Sequence, residues 1–309
     1  MRRLVVLAAA SALALTGCAG ESERGTAASS ATATPSVSPT PTASHAPAVP
    51  SPTAEFAALE QTFDARLGVY AIDTATGHEI VYGADERFAY ASTFKALAAA
   101  AVLDSIPLAD LDRVITYSQE DLITYSPVTE LHVESGLSLG DIAEAAVRLS
   151  DNTAGNLLLE ELEGPAGFTA ALRALGDDVT QSVRWEAGLN EAVPGDLRDT
   201  TSARAFATDL REYALGEAVD DEKKAVLIEW MSGNATGDTL IRAGVPSDWV
   251  VADKSGSGGY GTRNDMAVVW PPDAEPIVLA IFSTRESPDS ERDDALIAEA
   301  ARVVVDALD

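Results

Sequence analysis

The spacing of apolar and polar positions changes several times along the chain. Residues 4–15 are a short apolar run, residues 19–54 contain almost no large apolar side chains, and the remainder is patterned as a folded region. Residues 55–67 alternate at helical spacing. Residues 68–72 and 80–82 read as strands joined by a turn through Thr76 and Gly77. Residues 249–252, 266–270 and 277–283 are further strand candidates, the last with the continuous apolar run of a strand covered on both faces. Residues 288–308 predict an amphipathic helix whose acidic opening suits its positive N-terminal end. Between these outer strands the signals are helical. Residues 92–103 are apolar on nearly every side, the mark of a helix buried in a core. Residues 165–175 have Pro165 in the first turn and Gly176 after the end, and residues 201–215 stop at Gly216. The expected fold is α/β: an antiparallel sheet built from both chain ends and flanked by helices (residues 55–85 and 235–309), with an all-helical region (residues 86–234) inserted and a cleft between them.

Composition changes the picture at the N-terminus. Arg2 and Arg3, the apolar run and Thr16-Gly17-Cys18 read as an export signal over residues 1–18, too short to stay in a bilayer as a spanning helix. Residues 19–54, rich in Ala, Ser, Thr and Pro, cannot bury enough surface to offset their ordering entropy and read as a disordered tether. Cys18 is the single cysteine, so the chain has no intramolecular disulfide and no thiolate zinc cluster. The formal charge of −28, from 49 acidic against 21 basic side chains, opposes nucleic acid as a partner.

Four motifs carry candidate chemistry. The chain has only four lysines and five asparagines, and two of each fall inside them. Ser92 and Lys95 in Ser92-Thr93-Phe94-Lys95 share a helix face, so the amine can reach and activate the hydroxyl. Alone this is weak, because about one such spacing is expected in a chain of this length. A buried apolar helix, however, offers Lys95 no solvated position, and a buried amine needs partners. Ser150-Asp151-Asn152 lies between two helices and could simply be a cap, a role compatible with chemistry. Lys254-Ser255-Gly256 follows an apolar strand, where a cation and a hydroxyl can hold a carboxylate and glycine lets a ligand approach the backbone. Residues 184–200 hold Glu186 and Asn190 in a stretch with little regular structure. Arg184 pairing with Asp199 would close it as a compact loop, and Trp185 argues for partial burial beside Glu186.

Together these motifs resemble the class A serine β-lactamases, over essentially the whole folded region. Tyr125-Ser126-Pro127, Pro194-Gly195-Asp196 and the stretch from Gly258 to Asp265 add to the resemblance. It implies that Ser92 is the nucleophile that opens a β-lactam, Lys95 a proton-transfer partner and Ser150 the proton route to the leaving nitrogen. It implies that Lys254, Ser255 and Arg263 hold the substrate carboxylate, that Gly256 and Ser257 also line the substrate, that Asn152 binds the substrate side-chain amide, and that Tyr125 flanks the cleft. The backbone N–H groups of Ser92 and Ser257 would form an oxyanion hole. Glu186 and Asn190 would place the water that frees the acyl-enzyme. Where the family commonly carries proline after this glutamate the chain has Ala187, and the Glu186–Ala187 bond is expected to be cis nonetheless. Ala91 and Gly258 stand where a carbapenem-hydrolysing branch carries bridged cysteines, so that disulfide is impossible here.

The N-terminal motif Leu15-Thr16-Gly17-Cys18 resembles the bacterial lipoprotein box. It implies lipidation of Cys18, with palmitate among the acyl chains, and export to the outer face of the cell membrane with some protein secreted. No cofactor or metal and a monomeric state are expected. The rival readings are a penicillin-binding D,D-peptidase and a β-lactam receptor that acylates without turnover, both opposed by Glu186 and its spacing to Asn190. The three histidines, His45, His78 and His132, supply neither a zinc cluster nor a Ser-His-Asp arrangement.

Overall fold

The computed structural model describes residues 52–308. The export signal, Cys18 and the tether up to residue 51 lie outside the described residues.

Helix α1 (Thr53–Phe63) opens the fold, beginning inside the end of the predicted tether and stopping earlier than residue 67. It stops because Asp64 turns left-handed (φ 46°) and closes its N–H on Glu60 O. The chain then enters β1 (Arg66–Asp73) and β2 (Glu79–Tyr82). A two-residue strand β3 (Phe88–Ala89) precedes the tight 3-10 turn Ala91–Thr93 and helix α2 (Phe94–Ser105). Short strands β4 (Val114–Ile115) and β5 (Leu137–Ser138) pair with each other. Helices α3 (Leu139–Arg148), α4 (Asn152–Glu161) and α5 (Pro165–Leu175) follow. Strand β6 (Thr200–Thr201) pairs with β3, and α6 (Ala203–Ala214), α7 (Asp221–Ser232) and α8 (Ile241–Gly244) lead to β7 (Val250–Ser257), β8 (Arg263–Trp270), β9 (Ile277–Thr284) and α9 (Asp294–Leu308).

The main sheet is antiparallel, in the order β2-β1-β9-β8-β7, so both ends of the chain build it as predicted. Alternation along its strands divides the interior into two cores. Tyr70, Ile72, Met266, Val268, Val278, Ala280 and Phe282 face the helical insertion and join α2, α3, α4 and α6. Val69, Ala71, Ala267, Val269, Leu279 and Ile281 face α1 and α9. Helix α2 is buried on every side from Phe94 to Leu103.

Further boundaries differ from the sequence expectation. Strand β7 continues to Ser257, so Lys254, Ser255 and Gly256 lie within the strand, because β8 keeps pairing opposite them as far as Ser257 against Arg263. Strand β8 accordingly begins at Arg263 rather than residue 266. Helix α9 begins at Asp294 rather than residue 288, since Ser290 N–H closes a turn on Ser287 O and Asp293 caps by accepting from Ala295 N–H. No helix among the described residues is long and apolar enough to cross a membrane.

Candidate active site

The first turn of α2 places the nucleophile candidate. Ala91 takes a left-handed φ of 48°, an unfavourable conformation for a residue with a Cβ, and the 3-10 turn that follows carries Ser92 into the wall of the cleft. Gly256 of β7 runs against this turn: a Cβ there would sit 3.2 Å from the Ser92 nitrogen and 3.0 Å from Tyr90 O, so only glycine lets the strand approach so closely. Ser257 follows at the cleft edge.

Lys95, one turn into the helix, is fully buried. Its Nζ donates to Ser92 Oγ (3.0 Å), Asn152 Oδ1 (2.6 Å) and Ser150 O (2.9 Å), with Ser150 Oγ at 3.5 Å, and it pairs with Glu186 Oε1 at 3.0 Å. Burial lowers its pKa, against the opposing pull of Glu186. Ser92 Oγ also lies 3.3 Å from Glu186 Oε1. One hydroxyl at the cleft wall therefore touches both an amine and a carboxylate whose own side chains are fully buried.

The Ser-Asp-Asn segment serves structure and site together. Asp151 caps α4 by accepting from Ala154 N–H (2.9 Å) and also from the N–H groups of Val128 and Thr129. Ser150 is held left-handed (φ 57°) with its side chain on the cleft. Asn152 lines the cleft while its Nδ2 donates to Thr124 O (2.8 Å). Tyr125, also left-handed and 58% exposed, stands at the cleft rim.

The loop that carries Glu186 closes as expected. Arg184 Nε meets Asp199 Oδ2 at 2.5 Å, and the buried Asp199 also accepts from Val183 and Arg184 N–H. The Glu186–Ala187 peptide bond is cis. Glu186 points inward, with its Oε2 accepting from Asn190 Nδ2 (2.5 Å). Trp185 does not share that burial: it stays 40% exposed, and the polar partners of Glu186 hold it in place instead. Asn190 Oδ1 is buried and accepts no hydrogen bond from any described residue.

Lys254 faces the helical side from β7, fully buried, its Nζ donating to Ser255 O (2.8 Å). Burial, aided by repulsion from Lys95, pushes its pKa down to about 7. Arg263 lines the same end of the cleft, its Nε held by Asp294 Oδ1 at 2.6 Å. Burial pushes the Asp294 carboxyl up, but the hydrogen bonds from Arg263 and Thr239 outweigh it and hold it below its ordinary value.

Nine of the predicted site residues, Ser92, Tyr125, Ser150, Asn152, Asn190, Ser255, Gly256, Ser257 and Arg263, line one cleft of about 490 Å³, and Lys95, Glu186 and Lys254 are buried against residues of its wall; Cys18 lies outside the described residues. The structure adds residues that the sequence reading missed. Asn156 clamps the backbone of Glu186 at both ends, accepting from its N–H (2.9 Å) and donating to its C=O (3.2 Å). Its position four residues after Asn152, on the same face of α4, was the available signal. Gly155 makes room for the lysine stem, since a Cβ there would lie 2.7 Å from Lys95 Cε. Thr236 Oγ1 bonds Ser255 Oγ at 2.6 Å, and Arg292 joins the cleft wall; nothing in the local sequence marks either.

Comparison with known proteins gives a consistent picture. The family model described as the beta-lactamase enzyme family matches residues 51–308. A beta-lactamase of Bacillus amyloliquefaciens is 59% identical over 254 residues, covering 82% of this chain and 83% of that protein. One from Amycolatopsis lactamdurans is 56% identical over 262 residues, covering 85% of this chain and 87% of that one. The crystal structure of a class A beta-lactamase from Clostridium kluyveri is similar with a TM-score of 0.82 at 50% identity, over 83% of this chain and 98% of that one.

Proposed function

We propose, from the premise that this chain belongs to the beta-lactamase enzyme family, an acylation by Ser92 followed by deacylation through Glu186. The chain is a class A serine β-lactamase: it hydrolyses the β-lactam amide of penicillins and cephalosporins and so gives antibiotic resistance. The D,D-peptidase reading is not favoured.

The observation that carries the mechanism is the closed triangle of Ser92 Oγ, Lys95 Nζ and Glu186 Oε1, with edges of 3.0 to 3.3 Å. The Ser92 hydroxyl attacks the lactam carbonyl as its proton passes into the Lys95–Glu186 pair, either member of which lies within reach. The backbone N–H groups of Ser92 and Ser257 receive the oxyanion, each donor worth a few kcal/mol. Ser150, beside Lys95, returns a proton to the departing ring nitrogen. Glu186 and Asn190 then hold a water against the ester and Glu186 takes its proton. Lys254, Ser255 and Arg263 hold the ring carboxylate beside Gly256, with Asn152 and Tyr125 along the side chain.

The test uses the full chain with a chromogenic cephalosporin. Ser92→Ala is expected to abolish hydrolysis, and Glu186→Ala to accumulate a covalent adduct of intact substrate mass on Ser92, seen by mass spectrometry. Rapid turnover by Glu186→Ala would remove the carboxylate from the water step.

The exported protein is held, in this reading, at the outer face of the cell membrane by lipid on Cys18, as a monomer on its tether. The resemblance of residues 15–18 to a lipoprotein box supports it. Cys18→Ser is expected to move the protein from the membrane to the soluble fraction; unchanged sedimentation with membranes would refute the anchor.

A further inference from the structure

The cleft carries one cation with no role in the mechanism above. Arg292, in the segment between β9 and α9, lines the cleft beside Arg263, is exposed, and makes no ion pair or hydrogen bond with any described residue. Its charge helps to lower the Asp294 carboxyl, but no hydrogen bond joins the two side chains. Asp294 is held by Arg263 Nε and Thr239 Oγ1, and Asp293 accepts from Ala295 N–H. The guanidinium therefore keeps its N–H donors unengaged by any described residue while it lines the active-site cleft, in a chain with 49 acidic and 21 basic side chains.

We propose that Arg292 is a specificity-determining residue that favours cephalosporins carrying an anionic substituent on ring carbon 3. The inference rests on the assignment of Arg263, with Lys254 and Ser255, to the ring carboxylate. In a cephalosporin the carboxylate sits on carbon 4 and the variable substituent on carbon 3, adjacent ring atoms. A carboxylate held at Arg263 therefore presents the 3-substituent to whatever flanks that arginine. The Arg263–Asp294 pair at 2.6 Å ties the start of β8 to the start of α9, and Arg292 precedes Asp294 by two residues. Penicillins carry only methyl groups next to their ring carboxylate and offer Arg292 no charge to meet.

The experiment uses two cephalosporins with the same acylamino side chain, one with a carboxylate-bearing and one with an uncharged 3-substituent of similar size. The ratio of their kcat/KM values is measured for wild type, Arg292→Gln and Arg292→Glu. An exposed ion pair predicts that the ratio falls about two- to fivefold in Arg292→Gln, carried by KM, and further in Arg292→Glu. Salt raised to about 0.5 M should erase most of the wild-type preference, because screening then acts within a few ångströms. A ratio unchanged in both variants, or equal losses on both substrates, would overturn the assignment while leaving the acyl-transfer mechanism intact. Failure of wild type to open either cephalosporin would overturn both.

Discussion

Lys254 shows how burial sets a working range. Its ammonium lies inside the sheet edge near a second buried amine, and its pKa falls to about 7. A lysine is charged below its pKa, so in the free enzyme the cation proposed to meet a substrate carboxylate fades as pH rises through about 7. We expect kcat/KM for carboxylate-bearing β-lactams to fall by roughly tenfold from pH 6 to 9 on this account, the worth of one charge-assisted hydrogen bond. Lys254→Arg, which stays charged, should shift that limb to higher pH in a steady-state profile; an unshifted limb would assign the titration elsewhere. At Lys95 the same burial acts against a carboxylate 3.0 Å away, so identical side chains in one cleft meet different fields. The residue types of this site were legible in the sequence because lysine and asparagine are scarce in the chain. Asn156 and Gly155 were not, since a backbone clamp and the space for a lysine stem exist only once α4 packs against α2.

At the scale of elements, the segment after α5 is tied to α6 by two acids. Asp177 lies close enough to act on the Asp209 carboxyl, and the Oδ2 atom of each is buried with no hydrogen-bond partner among the described residues. Burial first, and then the neighbouring Asp177, push the Asp209 carboxyl up to about 9 from an ordinary value of 3.8. Between these limits the folded state keeps a proton that the unfolded chain releases, so this pair makes stability fall as pH rises. Asp209→Asn supplies a permanent donor to Asp177 without titrating. The variant should be more stable than wild type by about 1–3 kcal/mol at pH 8, with the advantage shrinking toward pH 4. Urea unfolding at the two pH values checks this, and a pH-independent difference would exclude a shared proton. The elements themselves were read correctly in kind, while their ends were misread where polar residues continue a ladder. Asp253, Lys254 and Ser255 look like a strand's exit but pair with β8 throughout.

For the whole molecule, the sheet from both chain ends was visible because its apolar runs cluster early and late. The polar chain from Ser255 through Thr236, Asn234 and Asp253 to Arg242 was not, because its links from Ser255 to Thr236 and from Asn234 to Asp253 each span 19 residues and form only on assembly. The two ends also close the second core. Phe56 of α1 is fully buried there, its ring 5.3 Å from that of Tyr82. Phe56→Ala should cost about 3–5 kcal/mol in denaturant unfolding. A loss under about 1 kcal/mol would mean that α1 is an ornament on an independently stable sheet.

Strand β1 completes its pairing only when β9 joins it on the side away from β2, and Thr74 bonds a carbonyl 202 residues further on. A ribosome releasing this chain from its N-terminus delivers Ser92 and Lys95 long before the strand that faces them. The Ser92 hydroxyl therefore has no assembled cleft around it while the polypeptide is still being synthesised. Competence arrives late, with nearly the last strands of the sheet.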